Sequence, residues 1–181
     1  MNKANAPVDL VLPSSACRAL CRALPRSENF DAAMAIVEGV RQELLGDGLL
    51  TINVDVTPAD AGEDVIELKR AWSSQPQFYP VSGRKRKRMT PWTQQLLRRA
   101  KIFVGEGDGS LADVFDDYQV IASMGLHSVV NVPLVTPEGR CFATFNVLGS
   151  RTSWTDQELV QIEMLAAFAL PVICRMPIAE A

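Results

Sequence analysis

Apolar residues recur along the chain with two periods, and the switches between them mark its elements. Ahead of Pro25, the residues Cys17, Leu20, Cys21 and Leu24 share one helical stripe, with Ser14 or Ser15 placed to cap its start. A second helix is predicted after Asn29, where Phe30, Ala33, Val37, Val40 and Leu44 keep helical spacing and Gly46 lies beyond the end. The period then falls to two. Leu50, Ile52, Val54 and Val56 alternate with Thr51, Asn53 and Asp55, as in a half-buried strand. Residues 57–64 read as a turn and residues 65–72 as the returning antiparallel strand.

Between residues 73 and 125 the pattern is irregular. It predicts a short strand around 78–81, a basic loop at Arg84–Arg88 and a short helix opening at Thr90-Pro91. A glycine-rich turn at 105–110 and one amphipathic stretch over 111–124 follow. Alternation resumes at 127–135 and 140–148, joined by the hairpin-length turn Thr136-Pro137-Glu138-Gly139. The last helix opens with a capping box, Thr155 and Glu158. It carries Leu159, Ile162, Ala166, Ala169 and Ile173 on one stripe, and Pro171 should kink or end it. This order predicts an α/β chain of the α+β type: an antiparallel sheet with terminal helices on one face and the irregular insert over the other. An insert of some fifty residues in a compact domain is where a ligand is expected.

At 181 residues, 48% hydrophobic and 22% charged, the chain fits one globular domain with a core of its own. No apolar run approaches the roughly 20 residues that cross a bilayer, and the start lacks the hydrophobic region of a signal peptide. No membrane association and a cytoplasmic location are therefore expected. The four cysteines form no CxxC pair and no cluster with the single histidine, so no metal is expected and the thiols read as small core residues. The net charge of −3 hides an asymmetry: ten of the 18 basic residues fall between Leu68 and Gly105, which hold no acidic residue. The Arg84–Arg88 run reads most simply as a solvated loop, with an anion gate as its functional alternative. No helix-turn-helix accompanies it, so nucleic acid is not an expected partner.

The C-terminal third closely resembles the GAF domain signature, through Gly125, Ser128, Val132-Pro133-Leu134, Gly139, Asn146 with Leu148, and Trp154-Thr155 leading to Leu159. The resemblance spans about residues 30–174, and Tyr79-Pro80-Val81 with Thr90-Pro91-Trp92-Thr93 resembles single-domain bacterial members of the family. It implies an N-terminal helical segment at 1–28 and a GAF domain at 29–176. It also implies a ligand cavity between sheet and insert, and a homodimer built on terminal helices. A stand-alone sensor of this kind is expected to signal through another protein.

The specific chemistries of the family fit these residues poorly. The insert holds no cysteine for a bilin, and His127 is the chain's one candidate for haem, reading more simply as a satisfied strand-edge residue. Against the cyclic-nucleotide signature, Asn146 matches, but Val147, Trp154 and Glu158-Leu159 depart. A methionine sulfoxide reductase needs paired thiols at the pocket, and of the four cysteines only Cys141 has a plausible approach. Gly105, Gly107 and Gly109 lack the lysine and the strand-to-helix setting of a phosphate loop. The expectation is therefore a non-enzyme without a cofactor, binding a small anionic or aromatic molecule at Tyr79, Trp92, Phe115, Tyr118, Ser128, Asn131 and Asn146. The alternative is a ligand-free interaction module of the same shape.

Overall fold

The computed structural model describes residues 12–58, 60–62 and 64–176. The first eleven residues of the expected N-terminal segment, and Ala59 and Glu63 of the 57–64 turn, lie outside them. The chain opens with α1 (Ser14–Arg18), which widens into a π turn at Ala19–Ala23 and tightens into a 3₁₀ turn at Leu24–Arg26. Helix α2 (Phe30–Leu45) starts where the Asn29 side chain accepts the Ala32 N–H at 2.9 Å. It ends at Gly46, whose φ of +74° few residues but glycine adopt.

Strands β1 (Gly48–Asp55), β2 (Val65–Ser73) and β3 (Arg84–Arg88) come next, then the single turn α3 (Pro91–Thr93) running into a π turn at Gln94–Arg98. The short strand β4 (Phe103–Glu106) leads into α4 (Gly107–Val114) and α5 (Tyr118–Ser123). The hairpin β5 (Ser128–Val135) and β6 (Cys141–Gly149) precedes the last helix, α6 (Asp156–Ile173). The strands form one antiparallel sheet in the order β3-β2-β1-β6-β5-β4, with β1 and β6 at its centre.

Alternation sorts the sheet into two faces. Leu50, Ile52 and Val54 of β1, Val130 and Val132 of β5, and Phe145 and Val147 of β6 meet Ala16, Leu20, Met34, Val37, Ile162, Leu165 and Ala169 from the helical layer. Each fully buried Leu, Ile or Phe there contributes about 1.5–3 kcal/mol against leaving it in water. The opposite face carries Leu49, Val129 and Leu148 under Leu111, Ile121 and Leu126. Beside them, Ile66 and Leu68 pack with Trp92, Leu96, Leu97 and Cys141. The insert thus covers the face that the terminal helices leave open.

Several sequence expectations change. The Arg84–Arg88 run is not a loop but the edge strand β3, hydrogen-bonded along β2 from Arg88 opposite Val65 to Arg84 opposite Lys69. The stretch 78–81 is a turn, closed by the Phe78 and Tyr79 amides on the Gln75 carbonyl. Glycines 105–109 do stand at a strand-to-helix junction, and Gly107 makes the corner with φ +75°. The stretch 111–124 is two helices rather than one, broken at Phe115–Asp117. Among the cysteines, Cys141 is buried; Cys17 and Cys21 are exposed because Ala16, Leu20 and Leu24 take the inward stripe of the first segment, and Cys174 is exposed just past the end of α6. Cys141 is turned to the insert face by a bulge that sets two residues of β6 against one step of β5.

Candidate functional site

Between the insert and the sheet lies a chamber of about 50 Å³. Its floor comes from the central strands. Thr51 and Asn53 of β1, Val129 and Asn131 of β5, and Asn146 and Leu148 of β6 all belong to the insert-facing set. Asn131 and Asn146 are direct cross-strand partners, so their side chains meet on that face. The Asn131 amide nitrogen donates to Asn146 Oδ1 at 2.8 Å, and Asn146 in turn donates to the Thr51 carbonyl at 3.2 Å. From above, the indole Nε1 of Trp92 donates to Asn131 Oδ1 at 3.0 Å. The buried amides are thereby linked into one chain from α3 to the middle of the sheet.

Trp92 is placed there by its helix start. Thr90 and Thr93 form a reciprocal cap and Pro91 takes the first helical position, which fixes the direction of the short turn. Phe115, at the break between α4 and α5, meets Trp92 edge to face, with ring centroids 5.8 Å apart and planes at 66°.

The remaining wall is charged. Arg70 follows Ile66 and Leu68 on the inward face of β2, and Lys85 and Lys87 are the inward residues of β3. The Arg70 guanidinium lies 4.2 Å from the centroid of the Tyr79 ring and donates to the Pro80 carbonyl at 3.0 Å. Asp117 accepts from the Tyr79 hydroxyl at 2.6 Å and from the Lys85 ammonium. At the rim, Lys87 pairs with Asp116 at 2.5 Å. Burial alone would push the Asp117 carboxyl up, but the hydrogen bonds from Lys85 and Tyr79 outweigh it and hold the group below its ordinary range. Burial, followed by the hydrogen bond to Asp117, pushes the Tyr79 phenol well up. Arg70 is drawn down by burial, against the opposing pull of Tyr79 and Asp117.

Of the seven residues proposed from sequence, Tyr79, Trp92, Phe115, Asn131 and Asn146 line this chamber, whereas Tyr118 and Ser128 do not. Tyr118 opens α5 beyond the helix break, so the three-residue spacing from Phe115 no longer sets the two on one face. Its hydroxyl bonds Asp108 instead, which also holds His127 Nδ1 at 2.7 Å. Ser128 alternates with Val129 and Asn131, which points it to the helical layer beside Gly149 and Trp154. The charged lining residues outside those seven are Arg70, Lys85, Lys87 and Asp117, of which Lys85 and Lys87 belong to the basic run whose functional alternative is an anion gate. Continuing the Ile66–Leu68 alternation by one step finds Arg70. Nothing local finds Asp117. None of the four cysteines lines the chamber, and among the described residues no three His, Cys, Asp or Glu side chains are grouped to hold a metal. No helix among them is long and apolar enough to cross a membrane.

A family model described as GAF domain matches residues 14–170. No curated protein sequence matches at a significant level. Among solved structures, the chain is similar to the GAF domain from an Acinetobacter phosphoenolpyruvate-protein phosphotransferase, at 11% identity and a TM-score of 0.60, covering 88% of this chain and 90% of that one. It is similar to the GAF domain of a two-component sensor histidine kinase from Bacillus halodurans, at 15% identity and 0.55, covering 79% and 92%. The chromophore-binding domain of an unusual bacteriophytochrome from R. palustris also matches, at 12% identity and 0.58. There 88% of this chain is covered but only 60% of the other. At such identities the likeness shows a shared fold.

Proposed function

The chain belongs to the GAF domain family, whose members are small-molecule-binding sensor and regulatory domains, and we propose that this one takes a small anionic molecule with an aromatic or apolar body into the chamber. The observation that carries this reading is the charge balance of the lining: Arg70, Lys85 and Lys87 face a single lining carboxylate, Asp117, beside the rings of Tyr79, Trp92 and Phe115. Guanidinium and ammonium donors in a partly dry site match a carboxylate or phosphate, and the rings match an apolar body. The domain is read as a cytoplasmic, non-catalytic homodimer that passes the binding event to a protein partner. The apolar groove of about 570 Å³ between the 3₁₀ turn after α1 and the end of α6, lined by Leu24, Phe30, Phe168 and Pro171 among others, supports pairing through the terminal helices.

The ligand-free interaction module is the second reading, favoured by the chamber's size. About 50 Å³ holds one or two waters, against roughly 300–1,000 Å³ for sites that take drug-sized ligands. A thermal-shift screen of small carboxylic acids, nucleotides and amino acids separates the two. A ligand at a hundred times its Kd stabilises the fold by about 2.7 kcal/mol. The sensor reading expects a shift with at least one anion that shrinks in Trp92→Ala and Asn131→Ala. No shift with any compound, or equal shifts in both variants, leaves the interaction module.

A further inference from the structure

Lys85 of the chamber already holds an anion that the protein supplies, Asp117, while Lys87 at the rim holds Asp116. Asp117 is the last residue of the break between α4 and α5, immediately before the first residue of α5. Its Oδ2 is shared by the Tyr79 hydroxyl and the Lys85 ammonium, while its Oδ1 is buried without a partner. Across the Tyr79 ring, Arg70 Nε is buried without a partner as well. A buried donor and a buried acceptor thus lie unmatched on the same wall. Buried polar groups in folded proteins are seldom left so, and a half-satisfied network is one that a ligand can rearrange.

The segment that carries Asp117 is also the one that closes the chamber. Phe115, two residues earlier, packs on Trp92, and Asp116 ties the same stretch to Lys87 of β3. A second anion entering beside an ionised Asp117 would meet like charge in a site partly removed from water, where repulsion is weakly screened. Entry and expulsion are therefore coupled.

Resting on the anion reading above, we infer that Asp117 is an internal stand-in for the ligand's anionic group. The Asp117 carboxylate occupies the Tyr79–Lys85 donor pair. An incoming carboxylate or phosphate takes those donors together with Arg70 Nε and expels Asp117. The 115–123 segment, with Phe115, then swings outward, which enlarges the chamber and changes the surface a partner would meet. The small closed volume and the cationic lining have one cause.

The test titrates the full chain with benzoate and, separately, inorganic phosphate, in wild type, Asp117→Asn and Asp117→Asn/Lys85→Met. Losing one like charge at contact range is expected to tighten binding of one of the two anions by about tenfold or more. The arm that responds identifies a carboxylate or a phosphate ligand, and Lys85→Met is expected to remove the gain. Equal affinity in wild type and Asp117→Asn overturns the stand-in and leaves the anion chamber standing. No binding of either anion by any form sinks both. Should Asp117→Asn fail to fold, hydrogen exchange on the wild type decides. Saturating anion is expected to speed exchange of the 115–123 amides while raising global stability, and unchanged or slowed exchange there overturns the inference.

Discussion

The Trp92 indole and the Asn131 amide meet at 3.0 Å with both residues more than nine-tenths buried, which ties the only turn of α3 to the middle of β5. Asn131 also donates to Asn146, so it sits between two buried groups that have few other partners. Asn131→Ala leaves the indole N–H and Asn146 Oδ1 unpaired, at a cost of about 2 kcal/mol in unfolding free energy by urea titration. Trp92→Phe added to that background removes one orphan, so the double variant is expected to fall short of the sum by about 1 kcal/mol. Strict additivity would mean that the bond contributes nothing.

How far the sequence reaches can be judged from two neighbours on the same wall. Helices α2 and α6 follow from period and caps, and strands β1, β5 and β6 from alternation, because the side toward the helices is mostly apolar while the other side mixes Leu49, Val129 and Leu148 with Thr51, Asn131 and Asn146. The Asn131–Asn146 pair follows from that same alternation. Strand β3 does not, since five consecutive cations show no contrast between faces, and only pairing with β2 makes the run a strand. Asp117 is less legible still. Its partners Tyr79 and Lys85 lie 38 and 32 residues away, and the helix break that aims it has no glycine or proline to announce it. The pairings that decide the chemistry of the chamber are tertiary.

Stability is expected to fall at both ends of the pH scale through this one cluster. The Asp117 carboxyl titrates below its ordinary range in the folded protein. Its contribution is therefore present above the unfolded value of about 3.9 and lost as pH drops through the folded one. The Tyr79 phenol is raised, so its contribution is present below about 10 and lost as pH climbs beyond that. Thermal midpoints measured against pH should decline less on the acid side in Asp117→Asn and less on the alkaline side in Tyr79→Phe. Parallel curves in wild type and variants would place the titrating groups elsewhere.

The thiols should divide three to one. Cys17, Cys21 and Cys174 are exposed, whereas Cys141 is buried in one cluster with Leu97 and the β2 residues Ile66 and Leu68. Burial pushes its thiol up to about 11, which leaves little thiolate at pH 8. A chromogenic disulfide reagent is expected to titrate three thiols in the native protein and the fourth only on unfolding. Four fast equivalents would show that the core around β6 opens readily.

At Gly48, the first residue of β1, the neighbouring strand β6 leaves no room for a side chain. A Cβ there would press on the Leu148 carbonyl oxygen and stand 2.9 Å from Nη1 of Arg41, the buried side chain that forks onto Glu38 and reaches the Gly46 carbonyl at 3.0 Å. The carbonyl belongs to the ladder and cannot rotate away, so Gly48→Ala must part the two central strands locally. The expected cost is about 2–4 kcal/mol, in the range of overpacked cores and disturbed buried ion pairs. Gly139→Ala is the control: it carries a strained φ of +83° but has open space around it, so it should cost about 1 kcal/mol.

Alternation along β3 divides the basic run into two sets with different work. Arg84, Arg86 and Arg88 are exposed, while Lys85 and Lys87 turn inward to Asp117 and Asp116. Exposed arginines away from partners change stability within about ±0.5 kcal/mol, so each single alanine variant of the outer set is expected to be neutral. Lys85→Ala strips a half-buried carboxylate of one donor and is expected to cost about 1 kcal/mol, held to that figure by the partial exposure of the pair. Lys87→Ala should cost less, because Asp116 is largely exposed and regains water. Added salt should narrow the gap between Lys85→Ala and wild type only slightly, since the pair is partly shielded from solvent. Denaturation of the five single variants at low and high ionic strength measures all of this. Equal effects from the two sets would mean that β3 presents its cations without regard to face, and would remove the charged wall from the chamber.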